Sequence, residues 1–336
     1  MDKFIKYAYK TFIYVFILLL VACSDNTKTN TAEETNIKIH RFERDLFSGE
    51  GAPHFMMMAK KYKEFYFGFC NDILEIPENR EDTLHNKELT EFIHHPSLMH
   101  LKQDVDSVYP DLESIEAQLT EAMKNYKKEF PKNKVPYFVS FVSEFGFANI
   151  TYDTIIGIGM DMYLGKDYPI YPIIEFPKYM SNKLCKEYVA SNAIKAMAIS
   201  NYEYQTKDKR FLAFMLFEGK VRYFMKKLMP ELPDSIILGY TEKQVKWSKD
   251  NAHDVWAHFI EKKMLYCDEP SKYMRYLTDG PFTTAEGVPQ ESAPAIGIYT
   301  AYQIIQKYAE ESGATLEKIM LESNWDKILK ESNYRP

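Results

Sequence analysis

The stretch from Val135 to Leu164, VPYFVSFVSEFGFANITYDTIIGIGMDMYL, decides the fold class of this chain. It contains three runs rich in Val, Ile, Phe and Tyr, over residues 135–142, 149–154 and 155–164. Short β-branched and aromatic runs with glycines nearby predict strands, here three strands of one small sheet. The proline-rich segment 168–177 that follows is expected to form a long loop.

Helical patterns dominate the chain on both sides of these strands. A short strand is predicted at Ile37–Ile39, and apolar residues then recur at helical spacing. Helices are predicted at 55–69, 88–99 with a break at Pro96, 111–130, 182–200, 209–229, 241–267, 270–277, 293–311 and 315–331. The expected fold is α+β, mostly helical with a small central β-sheet. The body would cover residues 37–336: a helical part at about 50–131, a strand cluster at about 135–165 and a helical C-terminal part at about 179–331.

The N-terminus has the pattern of an export signal. Three lysines in the first ten residues precede an apolar run over residues 11–22, which is too short for a membrane-spanning helix of about 20 residues. The run ends in Leu20-Val21-Ala22-Cys23, which resembles the bacterial lipobox. We therefore predict a lipoprotein signal peptide over residues 1–22, cleavage between Ala22 and Cys23, and acylation of Cys23 by fatty chains such as palmitate.

The segment after Cys23 predicts a tether. Residues 24–36 are polar except for one alanine, so residues 23–36 are expected to form a flexible lipidated tether. Fully stretched, these residues would reach at most about 45 Å. Ser24, in place of aspartate, favours the outer membrane over the inner membrane under the sorting rule of enteric bacteria. The expected location is the cell envelope, with the lipid-anchored body facing the periplasm.

Composition excludes several classes of protein. The 336 residues carry a formal charge of −6, and residues 1–22 contribute +2 of it, so the remainder carries −8. This charge, without a block of lysine and arginine, argues against a nucleic-acid partner. Apart from Cys23, the chain has an odd number of cysteines, and they lack paired spacing: Cys70, Cys185 and Cys267. This argues against a disulfide framework or a cysteine zinc site. Buried free thiols are favoured over one disulfide bridge.

Signatures of common catalytic sites are missing from the sequence. It contains no H-E-x-x-H, no G-x-S-x-G and no glycine-rich phosphate loop. Its eight histidines lack the spacing of a metal site, and His253 and His258 flank Trp256 in an aromatic helix. We expect no catalytic residue, no metal and no cofactor, identify no small-molecule substrate, and predict that the protein is not an enzyme.

One carboxylate interrupts a strongly apolar helix. Glu218 follows the run FLAFMLF, where an unpaired charge would be costly to bury, and Arg222 one turn later is its expected partner. The order of the predicted elements, strands followed by a helix and then by a helix with Glu-Gly, resembles that of zinc peptidases of the gluzincin kind. In this comparison Glu218 would match their downstream glutamate ligand. The preceding helix has SNAIK at residues 191–195, where those peptidases place their histidines. This indicates a zincin-like scaffold that lacks the zinc ligands.

A series of motifs runs through the second half of the chain. They are YLGKD at 163–167, FPKY at 176–179, FEGK at 217–220, GYT at 239–241 with Trp247, Trp256 followed by FIEK at 259–262 and LY at 265–266, PF at 281–282, and ES at 291–292 leading to Gly297 and QI at 303–304. Together with the lipobox, they resemble the gliding motility lipoprotein GldB family over about residues 41–310.

This resemblance implies a role. Members of that family belong to the surface-motility apparatus of gliding bacteria, linked to type IX secretion, and no enzymatic activity is attributed to them. We therefore expect a non-catalytic lipoprotein whose partners are the membrane, through its anchor, and other envelope proteins of the gliding and secretion machinery. Two alternatives are a metallopeptidase-like hydrolase with atypical ligands such as Glu218, His253 or His258, and a glycan-binding lipoprotein.

Overall fold

The computed structural model describes residues 36–76, 83–202 and 207–336. In these residues many helices surround a small four-stranded mixed sheet, so the predicted α+β class is confirmed. The predicted signal peptide, its cleavage site at Ala22–Cys23 and the tether up to Thr35 lie outside the described residues. No helix in the described part of the chain is both long enough and apolar enough to cross a membrane.

The secondary structure follows the chain in three parts. The strands are β1 (Ile39–Arg41), β2 (Tyr137–Phe141), β3 (Asn149–Tyr152) and β4 (Ile155–Gly159). Before β2 the helices are α1 (Phe42–Leu46), α2 (Gly51–Tyr62), α3 (Glu64–Gly68), α4 (Thr83–His94), α5 (Pro96–Val108) and α6 (Glu113–Glu129). After β4 they are α7 (Ile170–Ile173), α8 (Lys178–Ser181), α9 (Lys186–Asn201), α10 (Phe211–Leu228), α11 (Asp234–Leu238), α12 (Glu242–Asp250), α13 (Ala252–Glu261), α14 (Pro270–Tyr273), α15 (Ile296–Ser312), α16 (Leu316–Leu321) and α17 (Trp325–Glu331).

The sheet has the strand order β1-β2-β4-β3. The first three strands in this order are parallel, and β3 pairs antiparallel with β4 at the edge. Alternate residues of β2 point to opposite faces, as strand geometry requires. Val139 and Phe141 join a core with the N-terminal helices, while Phe138 joins Ile156 and Ile158 in a core with α6, α9 and α10. The sheet is therefore covered by helices on both faces.

Helix α10 connects two of the hydrophobic cores. Its first half, including Phe211 and Met215, packs in a core with α13, α15 and α17. Its second half, including Phe224 and Leu228, packs in the core beneath the sheet. Since both halves are buried, most side chains of this helix are removed from water.

Two sequence predictions around the sheet are wrong in detail. The third strand was expected to run to Leu164 but ends at Gly159, where a 3₁₀ turn (Met160–Tyr163) begins. The backbone approaches so closely there that a Cβ on Gly159 would lie 2.0 Å from the Phe147 carbonyl oxygen. The expected long loop at 168–177 contains α7, because Pro169 holds a helical φ of −67° and Tyr171 is fully buried.

Three predicted helices are each divided, and the one expected at 55–69 breaks at Lys63, where φ is 47°. The helix expected at 241–267 breaks at Asn251, whose side-chain amide donates a hydrogen bond to the Trp247 carbonyl at 2.8 Å. The helix expected at 315–331 breaks before Asn324, whose side chain accepts a hydrogen bond from the Lys327 amide and caps α17. Asparagine favours such helix ends because its side chain competes for backbone hydrogen bonds. The predicted break at Pro96 is confirmed.

None of the three cysteines in the described part of the chain forms a disulfide bond, in agreement with the expected thiols. Cys70 is buried, but Cys185 and Cys267 are only partly buried, so the expectation of burial is wrong for these two. They lie in loops at the edges of the helical cores rather than within a helix face, which leaves each thiol partly open to solvent.

The contact between α10 and α15 depends on a glycine. A Cβ on Gly219 would lie 2.6 Å from the Ala301 carbonyl carbon and 2.7 Å from its oxygen. Because this obstacle is backbone, we expect Gly219→Ala to lower the free energy of unfolding by about 2 kcal/mol. Urea unfolding measures the change. Lys227→Ala, which changes an exposed residue of the same helix, is the control and should change stability by no more than about 0.5 kcal/mol. Equal effects of the two variants would contradict the conclusion that the contact between α10 and α15 requires a glycine at position 219.

A buried carboxylate links the sheet to the loop between β2 and β3. Asp161 is fully buried, and its Oδ2 accepts hydrogen bonds from the amides of Ser143 at 3.0 Å and Phe145 at 2.8 Å. Its Oδ1 has no hydrogen-bond partner among the described residues. Burial raises the pKa of Asp161 to about 6, although the two amides act in the opposite direction.

This raised pKa predicts how stability changes with pH. The protonated form of Asp161 stabilises the fold at pH values below the unfolded pKa, and this contribution is lost as pH rises through about 6. The stability of the natural chain relative to Asp161→Asn should thus fall between pH 4 and pH 7.5, by at most about 3 kcal/mol. Asp167→Asn is the control. The pKa of Asp167 is lowered in the folded chain, so the contribution of Asp167 to stability should increase as the pH rises. A difference between Asp161→Asn and the natural chain that is independent of pH would contradict this prediction.

Candidate functional site

A cavity opens where α9, α10 and α11 meet the loop that precedes α15. Its volume is about 320 Å³, at the lower end of the range for ligand sites. Its lining combines charged side chains with mostly aliphatic ones. The charged residues are Lys183, Lys195, Glu218, Arg222 and Asp279; the aliphatic and sulfur-containing ones include Met225, Ile236, Ile237, Leu238, Leu277 and Ile298.

Helical spacing brings four polar side chains of this cavity together. Asn192 and Lys195 are three residues apart on α9, and Glu218 and Arg222 are four apart on α10. Residues with these separations share one face of a helix. Since α9 packs against α10, the two pairs face one space.

Glu218 and Arg222 form the predicted ion pair. The Arg222 Nη1 donates to Glu218 Oε2, and the side chains are 7% and 29% exposed. Burial pushes the pKa of Glu218 upwards, but the Arg222 guanidinium and the Lys195 ammonium outweigh it and hold that pKa below its usual value. Glu218 is therefore ionised at neutral pH. The Arg222 Nε is buried and has no hydrogen-bond partner among the described residues.

The two lysines of the cavity differ in their partners. Lys183 donates to both carboxylate oxygens of Asp279 at 2.7 Å. Lys195 forms neither a hydrogen bond nor a salt bridge with any described residue. Repulsion from the Arg222 guanidinium and then burial lower the pKa of Lys195 to about 8. The cavity therefore holds three cationic and two anionic side chains, and Lys195 is the cation without a direct partner.

The residues proposed for an atypical metal site do not meet. Glu218 lies in the cavity, the exposed His253 contacts Asp254, and His258 is hydrogen-bonded to the Tyr276 hydroxyl at 2.8 Å. Within the described ranges, no group of three or more His, Cys, Asp or Glu side chains is placed to hold a metal ion. The cationic side chains and the Asn192 amide are groups that can bind an anion, and the aliphatic side chains could contact an apolar substituent.

Sequence reasoning found part of this site. It singled out Glu218 and its partner Arg222, but it noted the segment 191–195, which contains Lys195, only because histidines are missing there. It missed Lys183 and Asp279, which are 96 residues apart in the sequence and pair only in the folded chain. No local pattern marks either residue.

The partly buried Glu218–Arg222 pair should contribute more than a surface pair. In a double-mutant cycle with Glu218→Gln and Arg222→Met, we expect a coupling free energy above about 1 kcal/mol, because each single change leaves its partner unpaired away from water. The exposed pair of Lys246 and Asp250, 2.6 Å apart with the same spacing, is the control. Its coupling should be only about 0.3–0.5 kcal/mol. Urea unfolding of each variant gives both values, and equal couplings would contradict the expectation.

Comparison with known proteins identifies the family. The sequence profile described as gliding motility protein GldB matches residues 23–336. No curated protein and no solved structure matches the chain. The likeness to zinc peptidase scaffolds thus stays a prediction. Because the matched segment covers nearly the whole chain, the protein belongs to the gliding motility protein GldB family, a family of lipoproteins.

Proposed function

We propose that this protein is a non-catalytic lipoprotein that supports gliding motility and the associated type IX secretion machinery. The observation that carries the proposal is the family match over residues 23–336. The matched segment begins at Cys23, the residue that the lipobox predicts to be acylated. Family membership agrees with a location in the cell envelope.

The anchor and the body have separate roles in this proposal. Acyl chains on Cys23 hold the protein in the membrane, with the outer membrane favoured, and residues 24–36 form the tether. The body faces the periplasm and contacts other envelope proteins of the gliding and secretion machinery. The paired state of Glu218 and the separation of His253 from His258 favour this role over a metallopeptidase with those ligands.

Complementation of a deletion strain tests the proposal. The natural gene should restore colony spreading and secretion into the medium, and Cys23→Ala should not, because the body loses its anchor. Fractionation should then find the Cys23→Ala protein in the soluble fraction. Cys267→Ala, which changes a partly buried thiol of the body, is the control and should restore both activities.

Two outcomes would contradict the proposal. A deletion strain that spreads and secretes normally would show that the protein is not needed for either process. Full complementation by a soluble Cys23→Ala protein would show that anchoring is not required.

A further inference from the structure

The charges of the cavity leave one cation without a direct partner. Asp279 neutralises Lys183, and Glu218 neutralises Arg222. Lys195 lines the same cavity, yet no described residue donates to, accepts from or forms a salt bridge with its ammonium. Buried charges are usually paired, because an isolated charge away from water is costly. An unpaired ammonium in a cavity is therefore a ready binding group for an anion.

We propose that this cavity binds a carboxylate that carries an aliphatic substituent, with the Lys195 ammonium as the group that pairs with it. The inference goes beyond the proposed function, which names no ligand. The excess of one positive charge matches a monoanion. A phosphate dianion would bring a second negative charge close to Glu218 and Asp279, which already line the wall.

The shape and lining of the cavity define the rest of the ligand. Besides the charged groups, Met225, Ile236, Leu238 and Ile298 line the cavity and provide apolar surface that an aliphatic group would remove from water. A volume of about 320 Å³ suits a small acid or the last residue of a chain rather than an extended ligand. The carboxylate could come from a peptide C-terminus or from a free small carboxylic acid, and the experiment below separates these sources.

The pKa of Lys195 supports the same inference. The Arg222 guanidinium holds this pKa at about 8, so the amine is partly neutral in mildly alkaline solution. A bound carboxylate favours the charged ammonium and would raise the pKa again. Binding should therefore take up protons at about pH 8.5 but not at about pH 6.5, where Lys195 is already protonated.

Calorimetric titration of the full-length acylated lipoprotein in detergent micelles tests the proposal. The probes are N-acetyl-Ala-Leu with a free carboxylate, the same dipeptide as its C-terminal amide, and 4-methylpentanoate. The free acid should bind at least about tenfold more tightly than the amide, which lacks the negative charge. Tighter binding of the dipeptide than of 4-methylpentanoate assigns the site to a chain terminus, and the reverse assigns it to a free acid.

Variants connect the binding to the named residue. Lys195→Met should weaken binding of the dipeptide acid by about tenfold or more. Lys186→Met, an exposed lysine of the same helix outside the cavity, is the matched control and should bind as the natural protein does. Thermal unfolding of both variants reports whether they are folded.

Proton uptake tests the site without a variant. Titrations in two buffers with different ionisation enthalpies should show uptake at about pH 8.5 and none at about pH 6.5. The proposal is overturned if neither carboxylate binds, if acid and amide bind equally, or if a folded Lys195→Met protein keeps full affinity. These outcomes leave the role in motility untouched, since complementation measures that role separately.

Discussion

The close approach of α10 and α15 at Gly219 is the contact on which the rest of the body depends. The α10 backbone lies against Ala301 at a distance that leaves no room for a side chain. This contact places the first half of α10 in the C-terminal helical core. The second half of the same helix is then held beneath the sheet. One helix thus connects two cores, and its position determines how the C-terminal helices sit relative to the strands.

The same constraint explains why polar residues occur in the middle of a buried helix. Glu218 and Arg222 lie on either side of Gly219 along α10, where the two cores meet and a cavity remains. Their ion pair compensates for the loss of water around both charges. Lys195 reaches this space from α9, and its ammonium is left without a direct counter-charge among the described residues. The cavity therefore results from the way in which α9, α10 and α11 meet, and its lining combines charged and aliphatic side chains.

Family membership and the pocket address different questions. Membership in the gliding motility protein GldB family relates the chain to motility and to the envelope. The pocket concerns what the body could bind once it is held there. Its side chains combine two amines, a guanidinium and two carboxylates, a set that suits electrostatic recognition better than metal-dependent hydrolysis. A lipoprotein that binds a chain terminus or a small acid would be compatible with a structural role in a larger assembly.

The sequence by itself determined the features that depend on neighbouring residues. Short apolar runs predicted the strands, Pro96 predicted a helix boundary, and the four-residue spacing of Glu218 and Arg222 predicted their pairing. The lipobox is likewise a local pattern, and Cys23 acylation stays a prediction because it lies outside the described residues. Only the tertiary structure decided the strand order and the meeting of Lys183 with Asp279. Those features depend on packing between distant segments, and composition and periodicity carry no record of which distant surfaces will be buried together.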